Sequence, residues 1–211
     1  MIKCSLILLG GGQGKRFGSP LPKQYHPFRG LPLILHSLNT LIHVPQIQEI
    51  IVVCHEKFQE VFRDYPVLFA TPGERRQDSV SSGLQKVSHP WTLVHDGARP
   101  FVYLEEISKL LEACLHNDSV ALASSLPYAI KQRSPVKTLN REALALVHTP
   151  QCVKTDVLKQ GLLLAQQRNL TLVDDTEAAE ILSVPTKLIF ATHPQIKISY
   201  PEDLTIASSL A

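Results

Sequence analysis

A short apolar run that ends in a glycine cluster places the strongest constraint on this chain. Residues Cys4–Leu9 are mostly apolar and predict a buried strand; Gly10–Gly12 follow directly, with a fourth glycine at position 14. Glycine lets backbone N–H groups approach an anion closely, because no Cβ stands in the way. Lys15 and Arg16 then supply positive charge. The stretch therefore predicts a phosphate-binding loop at a strand end, the alternative being a glycine-rich surface turn with solvated lysines.

The distribution of charge favours a small polyanion as the ligand. No Asp or Glu precedes Glu49, so the N-terminal quarter is positive, although the formal net charge of the chain is only +2. A nucleic-acid-binding chain is more often basic throughout, which makes nucleic acid the weaker alternative. The cationic residues before Glu49 are Lys3, Lys15, Arg16, Lys23 and Arg29.

Two common phosphate-binding motifs do not fit the glycine stretch. In a G-x-G-x-x-G frame that starts at Gly12, Phe17 takes the place of the third glycine, and no acidic residue follows about 20 positions later. A Walker A loop would need glycine at Leu9 and Ser or Thr at Arg16. The sequence therefore predicts a phosphate loop of a third kind.

Composition predicts one globular domain spanning residues 1–211. Apolar residues make up 44% of the chain and charged residues 19%, enough for one sizeable core. No apolar run approaches the length of about 18 residues that a membrane span needs, so we expect a cytoplasmic protein without membrane contact. The four cysteines are far apart in the sequence, which favours buried thiols in a reducing compartment over disulfides or zinc ligands.

Apolar runs alternate with segments of helical periodicity. This alternation predicts a mostly parallel central sheet with helices on both faces, and ligands then bind beyond the carboxyl ends of the strands. The predicted strands are Cys4–Leu9, Ile50–Cys54, Val67–Phe69, Trp91–His95, Val120–Ala123, Lys187–Ala191 and Ile196–Ile198. The predicted helices are Leu33–Ile42, Glu56–Arg63, Asp78–Val87, Leu104–Leu115 and Asp156–Arg168, with two more beginning near Asp174 and Pro201.

The loops that follow predicted strands contain candidate ligand-binding residues. In the loop before the third helix, Asp78 and Ser79 either contact a nucleotide or cap that helix. Residues 95–100 either present Arg99 to a ligand or form a tight Asp-Gly turn. Lys197 alternates with two apolar residues and faces either a cleft or solvent. Asp174 and Asp175 bind a metal or, more commonly at a helix start, cap the helix.

Residues 126–147 are predicted to leave the sheet. The segment has two prolines, four cationic residues and weak apolar periodicity. A long insertion in a compact domain is usually functional or an oligomer contact.

Six segments in this order and spacing resemble the family of 2-C-methyl-D-erythritol 4-phosphate cytidylyltransferases, the IspD family. Each motif is short, but the six together are specific and span nearly the whole chain. The segments are Gly12–Arg16, Pro22–Tyr25, Gly73–Val80, Val94–Phe101, Thr149–Gln151 and Ile196–Leu204.

The resemblance implies a Rossmann-like nucleotidyltransferase fold with a protruding β-arm at about residues 126–147, and transfer of CMP from CTP to the acceptor phosphate. Arg16, Lys23 and Lys197 would be catalytic, surrounding the α-phosphate and the leaving group. Mg²⁺ would bridge phosphate oxygens, with Asp96 as its protein contact. The nucleotide-binding positions would be Gly10, Gly11, Gly12, Gly14, Lys15, Gly73, Asp78, Ser79 and Asp96.

On the acceptor side the resemblance implies binding positions at Arg99, Arg141, Thr149, Ala129 and Val173. It also implies a homodimer that exchanges arms and brings Arg141 into the neighbour's site. The chain departs from the family pattern here: Tyr128 and Ala129 replace a usual Asp-Thr pair, and Val173 replaces a threonine. Gly10 and Gly11 replace two alanines, a change expected to add flexibility.

Two alternative functions remain at this point. Ribitol 5-phosphate cytidylyltransferases share the nucleotide motifs, but Arg75–Val80 and His95–Pro100 look more like the methylerythritol enzymes. A catalytically silent nucleotide-binding module is the alternative of a different class, and the presence of Arg16, Lys23 and Lys197 argues against it.

Overall fold

The computed structural model describes residues 2–210 and contains eleven strands and six α-helices. The strands are β1 (Cys4–Leu9), β2 (Pro27–Phe28), β3 (Leu31–Pro32), β4 (Ile47–Val53), β5 (Leu68–Ala70), β6 (Trp91–Asp96), β7 (Ser119–Ser124), β8 (Ile130–Gln132), β9 (Lys137–Leu139), β10 (Leu146–Lys154) and β11 (Lys187–Phe190). The helices are α1 (Leu33–Leu41), α2 (Arg76–Leu84), α3 (Leu104–Ala113), α4 (Thr155–Gln167), α5 (Glu177–Glu180) and α6 (Glu202–Ser209). Within this part of the chain no helix is long and apolar enough to cross a membrane.

Seven strands form the central sheet in the order β11-β7-β10-β6-β1-β4-β5. All of them are parallel except β10, which runs antiparallel to both of its neighbours. The register aligns the last residue of β1, Leu9, with Val53 of β4 and with Asp96 of β6. The loops after these three strands therefore begin side by side at one edge of the sheet.

Alternation along β1 explains why helices cover both faces of this sheet. Leu6 and Leu8 point into one core cluster together with residues of α1 and α3. Ile7 points into a second cluster with residues of α2, α4 and α5. A parallel strand that is apolar on both faces is stable only when both faces are covered. The predicted mostly parallel sheet with helices on both faces is confirmed.

A third, smaller apolar cluster lies beyond the carboxyl edge of the sheet. It joins Phe17 from the glycine-loop region to Phe28 in the β2–β3 hairpin and to Ala207 of α6. Ile198, which is fully buried, packs in the same cluster. The cluster thus anchors the residues next to Arg16 and Lys197, although these two cations lie far apart in the sequence.

Residues 126–145 lie outside the central sheet, whereas Leu146 and Val147, the last two residues of the predicted segment, belong to β10. β8 and β9 pair only with each other, as a hairpin placed between β7 and β10. Most of the side chains from residue 127 to residue 144 are exposed.

One prediction of secondary structure was wrong, one predicted helix is of the 3₁₀ type, and one strand of the central sheet was missed. Ile196–Ile198 is not a strand: this segment crosses the end of the sheet and its link to the β6 loop is a hydrogen bond from Ile198 N to Ala98 O, 2.9 Å. Glu56–Phe62 is a 3₁₀ helix, not an α-helix. Strand β10 was missed because Pro150 breaks its pattern; pairing with β7 is irregular between His148 and Gln151.

Candidate active site

The glycine loop is held through its carbonyl groups. The Gln24 side-chain amide donates to Gly10 O at 2.6 Å and to Gly12 O at 2.8 Å, and the Tyr25 hydroxyl donates to Gly10 O at 2.8 Å. By contrast, the backbone N–H groups of residues 11–14 donate to no acceptor among residues 2–210. Gly14 has φ +65°, a conformation that favours glycine. Unpaired N–H groups with fixed carbonyls form a nest for an anion.

Gly10 and Gly11 leave room for neighbouring side chains that a Cβ at either position would crowd. The structure gives them this role and not the expected gain in flexibility. A Cβ on Gly10 would lie 2.9 Å from the Tyr25 hydroxyl and 3.0 Å from Ile34 Cδ1. A Cβ on Gly11 would collide with Cβ of Pro72, in the loop after β5. The glycines therefore let Tyr25 and Pro72 pack directly on the loop backbone.

A cavity of about 620 Å³ lies between the glycine loop, the start of α2 and the segment that carries Lys197. Its size is that of a small-molecule site. The structure brings ten of the predicted site residues to its lining: Gly11, Gly12, Gly14, Lys15, Arg16, Lys23, Gly73, Ser79, Asp96 and Lys197. Other lining residues were not among the predicted site residues; they include Gln13, Gln24, Glu74, Arg75 and Arg76.

Three of the lining cations have no ion-pair partner in residues 2–210: Lys15, Arg16 and Lys23. Burial, followed by the charges of Lys197 and Arg16, lowers the pKa of the Lys23 ammonium to about 8. The Arg16 guanidinium lies over the Tyr200 ring, 5.6 Å from its centroid. Cations that line a cavity without carboxylate partners create a positive potential that attracts a polyanion.

Asp96 is the centre of the charged network on the opposite wall. Its carboxylate accepts from Lys197 Nζ at 2.7 Å and from Arg76 Nε at 3.0 Å. Burial opposes ionisation of Asp96, but Arg76 and Lys197 outweigh it and hold the pKa of the carboxyl well below its ordinary value. The hydroxyl of Thr149 accepts from the Asp96 backbone N–H at 3.0 Å. Asp96 is therefore an anion held in a fixed position at the carboxyl end of β6.

Arg76 is a central residue that sequence reasoning missed. Its guanidinium bridges Asp96 and the buried Asp175, to which it donates at 2.9 and 2.7 Å. The adjacent Arg75 pairs instead with Asp78, with Nη2 to Oδ1 at 2.8 Å. The only signal in the sequence was the Arg-Arg pair before a helix, which does not tell which arginine pairs with Asp96 and Asp175.

The start of α2 separates the two residues predicted to contact the nucleotide. The Ser79 hydroxyl accepts from Gly73 N at 3.1 Å and lines the cavity. Asp78 does not line it; its carboxylate accepts from the Arg75 backbone N–H at 3.1 Å, which is the capping alternative. Glu74 supplies the carboxylate at this wall of the cavity.

Most predicted acceptor-side residues lie away from this cavity. Arg99 is buried beneath Asp96, with Nε 3.8 Å from Oδ2, and its Nη1 is 3.4 Å from the ring nitrogen Nδ1 of His148. Arg141 lies on the arm and donates to Pro127 O at 3.1 Å. Ala129 and Val173 are exposed. Within one chain, these positions do not form a common site.

The donor set suits a metal ion that arrives with phosphate ligands. Among residues 2–210 no three His, Cys, Asp or Glu side chains gather closely enough to hold a metal ion by themselves. Mg²⁺ commonly takes one or two carboxylates plus substrate phosphates. Asp96 is the aspartate on the cavity wall, although Arg76 and Lys197 already engage both of its oxygens. Asp175 is turned to Arg76, and Asp174 accepts from Thr176 Oγ1 and Glu177 N, so both have other partners.

A mostly parallel sheet whose first strand ends in a glycine loop beside unpaired cations is typical of nucleotide-binding α/β proteins. The family match makes this one a nucleotidyltransferase. The chain belongs to the 2-C-methyl-D-erythritol 4-phosphate cytidylyltransferase (IspD) family, whose model matches residues 4–210. This confirms the family resemblance seen in the motifs.

Individual relatives agree with the family assignment. The chain is 64% identical over 210 residues to the Chlamydia pneumoniae protein of that name, covering all of both chains. It is 60% identical over 208 residues to the protein of the same name from Chlamydia abortus, covering 99% of this chain and 96% of the relative. A crystal structure of the Francisella tularensis enzyme superposes with a TM-score of 0.86 at 25% identity, covering 99% of this chain and 100% of the other.

Proposed function

We propose that this chain transfers CMP from CTP to 2-C-methyl-D-erythritol 4-phosphate, giving 4-diphosphocytidyl-2-C-methyl-D-erythritol and pyrophosphate, a step of non-mevalonate isoprenoid synthesis. The observation that carries the proposal is the cavity at the end of β1, whose lining includes residues 11–14, with unpaired backbone N–H groups, and the unpaired cations Lys15, Arg16 and Lys23. Membership of the family supports the identity of both substrates.

The chemistry needs charge and position rather than a base. A phosphate monoester is largely dianionic near neutral pH, since its second pKa is about 6, so its oxygen is already a nucleophile. That oxygen forms a new bond to the α-phosphorus of CTP, and the bond from the α-phosphorus to the bridging oxygen breaks. The electron pair leaves with pyrophosphate, and no proton has to move. Catalysis then depends on holding the two phosphates in line and neutralising their charge.

The cations of the cavity are assigned to that neutralisation. Arg16 and Lys23 have no carboxylate partner in the part of the chain that the structure describes, so they are free to bind phosphate oxygens. Lys197 is paired with Asp96 and would share its charge between Asp96 and the incoming phosphate. The N–H groups of the glycine loop, with Lys15, would bind the triphosphate; Gly73 and Ser79 would contact the nucleoside.

Mg²⁺, or another divalent ion, is part of the proposal. When bound, it would neutralise charge on the phosphate oxygens, with Asp96 as its protein ligand. The pairing of both Asp96 oxygens with Arg76 and Lys197 supports a role in orienting these cations as well.

We also propose that two copies complete the acceptor side by exchanging arms. The arm exposes large apolar side chains, Tyr128 at 77% and Val136 at 76%, as expected of a surface that a second copy covers. Arg141 would then approach the neighbour's acceptor side near Asp96, which Arg99 and Thr149 contact. Sedimentation of the full chain and of a chain lacking residues 126–147 tests this, since only the former should be dimeric.

The four buried, unpaired thiols support the reducing cytoplasm as the compartment.

Pyrophosphate release with two competing acceptors tests the function. We expect turnover with CTP, Mg²⁺ and methylerythritol phosphate, little turnover with UTP, ATP or GTP, and none with ribitol 5-phosphate. Tyr128 and Ala129 make the second acceptor the necessary comparison. Turnover with ribitol 5-phosphate alone would overturn the acceptor, and absence of turnover with either would favour a silent nucleotide-binding module. Lys23→Ala should remain folded and release no pyrophosphate.

A further inference from the structure

A buried carboxylate on α3 holds the turn that leads to Lys197. Glu106 is only 2% exposed. It accepts from the backbone N–H groups of Thr192 and His193, each at 2.9 Å, and from the Gln195 side-chain amide at 2.6 Å. In residues 2–210 these two backbone N–H groups have no other acceptor. Glu106 therefore makes most of the side-chain contacts that hold residues 192–195, which no strand or helix includes. Glu105 accepts from Thr192 Oγ1 at 3.1 Å, and Arg99 Nη1 donates to Gln195 O at 3.4 Å.

Residues on the other side of Lys197 are fixed independently. Ile198 is fully buried and its N–H donates to Ala98 O at 2.9 Å. The N–H groups of Ser199 and Tyr200 donate to a carboxylate oxygen of Asp203 at 2.7 and 2.9 Å. Lys197 thus lies between two anchors, and Glu106 forms the one on its N-terminal side.

We propose that Glu106 is a positioning residue for Lys197, acting through the turn at residues 192–195. The proposal rests on the proposed function, in which Lys197 acts on the phosphates. Because the segment is outside the sheet, strand pairing does not determine where Lys197 Nζ lies. A displacement of about 1 Å at a catalytic group can cost about a hundredfold in rate. Glu106 itself is far from solvent and is not among the residues that line the cavity.

Two substitutions at this position separate charge from hydrogen bonding. Glu106→Leu keeps the approximate volume and removes every acceptor. Glu106→Gln keeps one oxygen, which can still accept from the backbone N–H groups of Thr192 and His193, while Gln195 can turn its own amide to match. We expect kcat to fall about tenfold to a hundredfold in Glu106→Leu and by less in Glu106→Gln. Glu112→Ala is the control, an exposed acid on the same helix with unchanged kcat expected.

A double-mutant cycle with Lys197→Ala tests whether the effect passes through Lys197. If it does, Glu106→Leu lowers kcat in the parent chain but changes it less than twofold when Lys197 is already absent. Equal losses in both backgrounds, measured on protein shown to be folded by circular dichroism, would mean a general structural role and would overturn the proposal. So would an unchanged kcat in Glu106→Leu.

The parent chain, Glu106→Leu, Lys197→Ala and the double variant are also titrated with CTP. These titrations distinguish failure of the proposed function from failure of the Glu106 proposal. A parent chain that binds CTP but releases no pyrophosphate contradicts the proposed function. The Glu106 proposal is then decided by the CTP dissociation constants: it holds if Glu106→Leu weakens binding only while Lys197 is present, and fails if the two effects multiply.

Discussion

Two adjacent arginines show how little of a side chain's role follows from its type. Arg75 and Arg76 share a charge and a helix start, but Arg75 pairs with its helix neighbour Asp78, and both of these side chains are about a third exposed. Arg76 is less exposed, at 29%, and joins Asp96 to Asp175, which is 3% exposed. Removing Arg76 would leave a buried carboxylate without a counter-ion, which is far more costly than losing a solvated pair.

Substituting each arginine in turn tests this difference. We expect Arg76→Ala to lower the free energy of unfolding by about 3 kcal/mol, the lower end for breaking a buried ion pair, because the site is partly open to water. Arg75→Ala should lower it only slightly. Urea denaturation of both variants at pH 7 measures the difference, and equal losses would contradict the assigned roles. Arg76→Ala should also lose CTP affinity, because Asp96 Oδ1 then loses its 3.0 Å hydrogen bond and only Lys197 and Arg99 remain beside the carboxylate.

The elements that the sequence predicted well are those whose pattern is set by the core. Cys4–Leu9 was placed to the residue, because both faces of β1 are buried and the glycines end it sharply. The elements that failed depend on distant partners. Residues 196–198 alternate like a strand, but carboxylates and one carbonyl hold this segment outside the sheet. Strand β10 joins β6 to β7 despite Pro150, since the flanking residues pair on both sides.

The loops after β1 and β5 interlock at one contact that the sequence does not reveal. Pro72 packs on Gly11, and a Cβ at position 11 would collide with it. We expect Gly11→Ala to destabilise the fold by about 1–3 kcal/mol, as overpacking does, and to weaken CTP binding. Gly12→Ala is the matched control, because no atom lies within 4 Å of its Cβ position; its free energy of unfolding should change by less than about 0.5 kcal/mol.

A second substitution tests the cause of that loss. If the collision with Pro72 is responsible, Pro72→Gly should restore much of the stability lost in Gly11→Ala, measured by thermal and urea unfolding. A double variant no more stable than the sum of the two single losses would show that Gly11 serves a purpose other than space.

At the scale of the whole molecule, the site is a convergence of segments far apart in sequence. Arg16, Lys23, Asp96 and Lys197 meet because the carboxyl ends of β1 and β6 are neighbours and the chain returns across them before α6. The topological rule for parallel sheets predicted the meeting of the first three. It does not predict which positive charges remain unpaired, since pairing depends on side-chain directions that only the folded structure has. Lys197 forms an ion pair with Asp96. For Lys23, burial and the charges of Lys197 and Arg16 outweigh those of Asp96 and Asp203.

The unpaired charge of Lys23 couples CTP binding to pH. Its pKa is lowered to about 8 in the folded chain, below the unfolded value of about 10.4. The unfolded state therefore holds more protons between these values, so Lys23 makes stability rise as pH increases through that window.

A triphosphate favours the charged ammonium and raises its pKa again. Above pH 8, CTP binding should thus take up a proton and weaken as pH rises. Calorimetry at pH 8.5 in two buffers of different ionisation enthalpy measures this uptake. Lys23→Met removes the titrating group, so a proton uptake that persists unchanged in this variant would assign the linkage to another group or to the nucleotide itself.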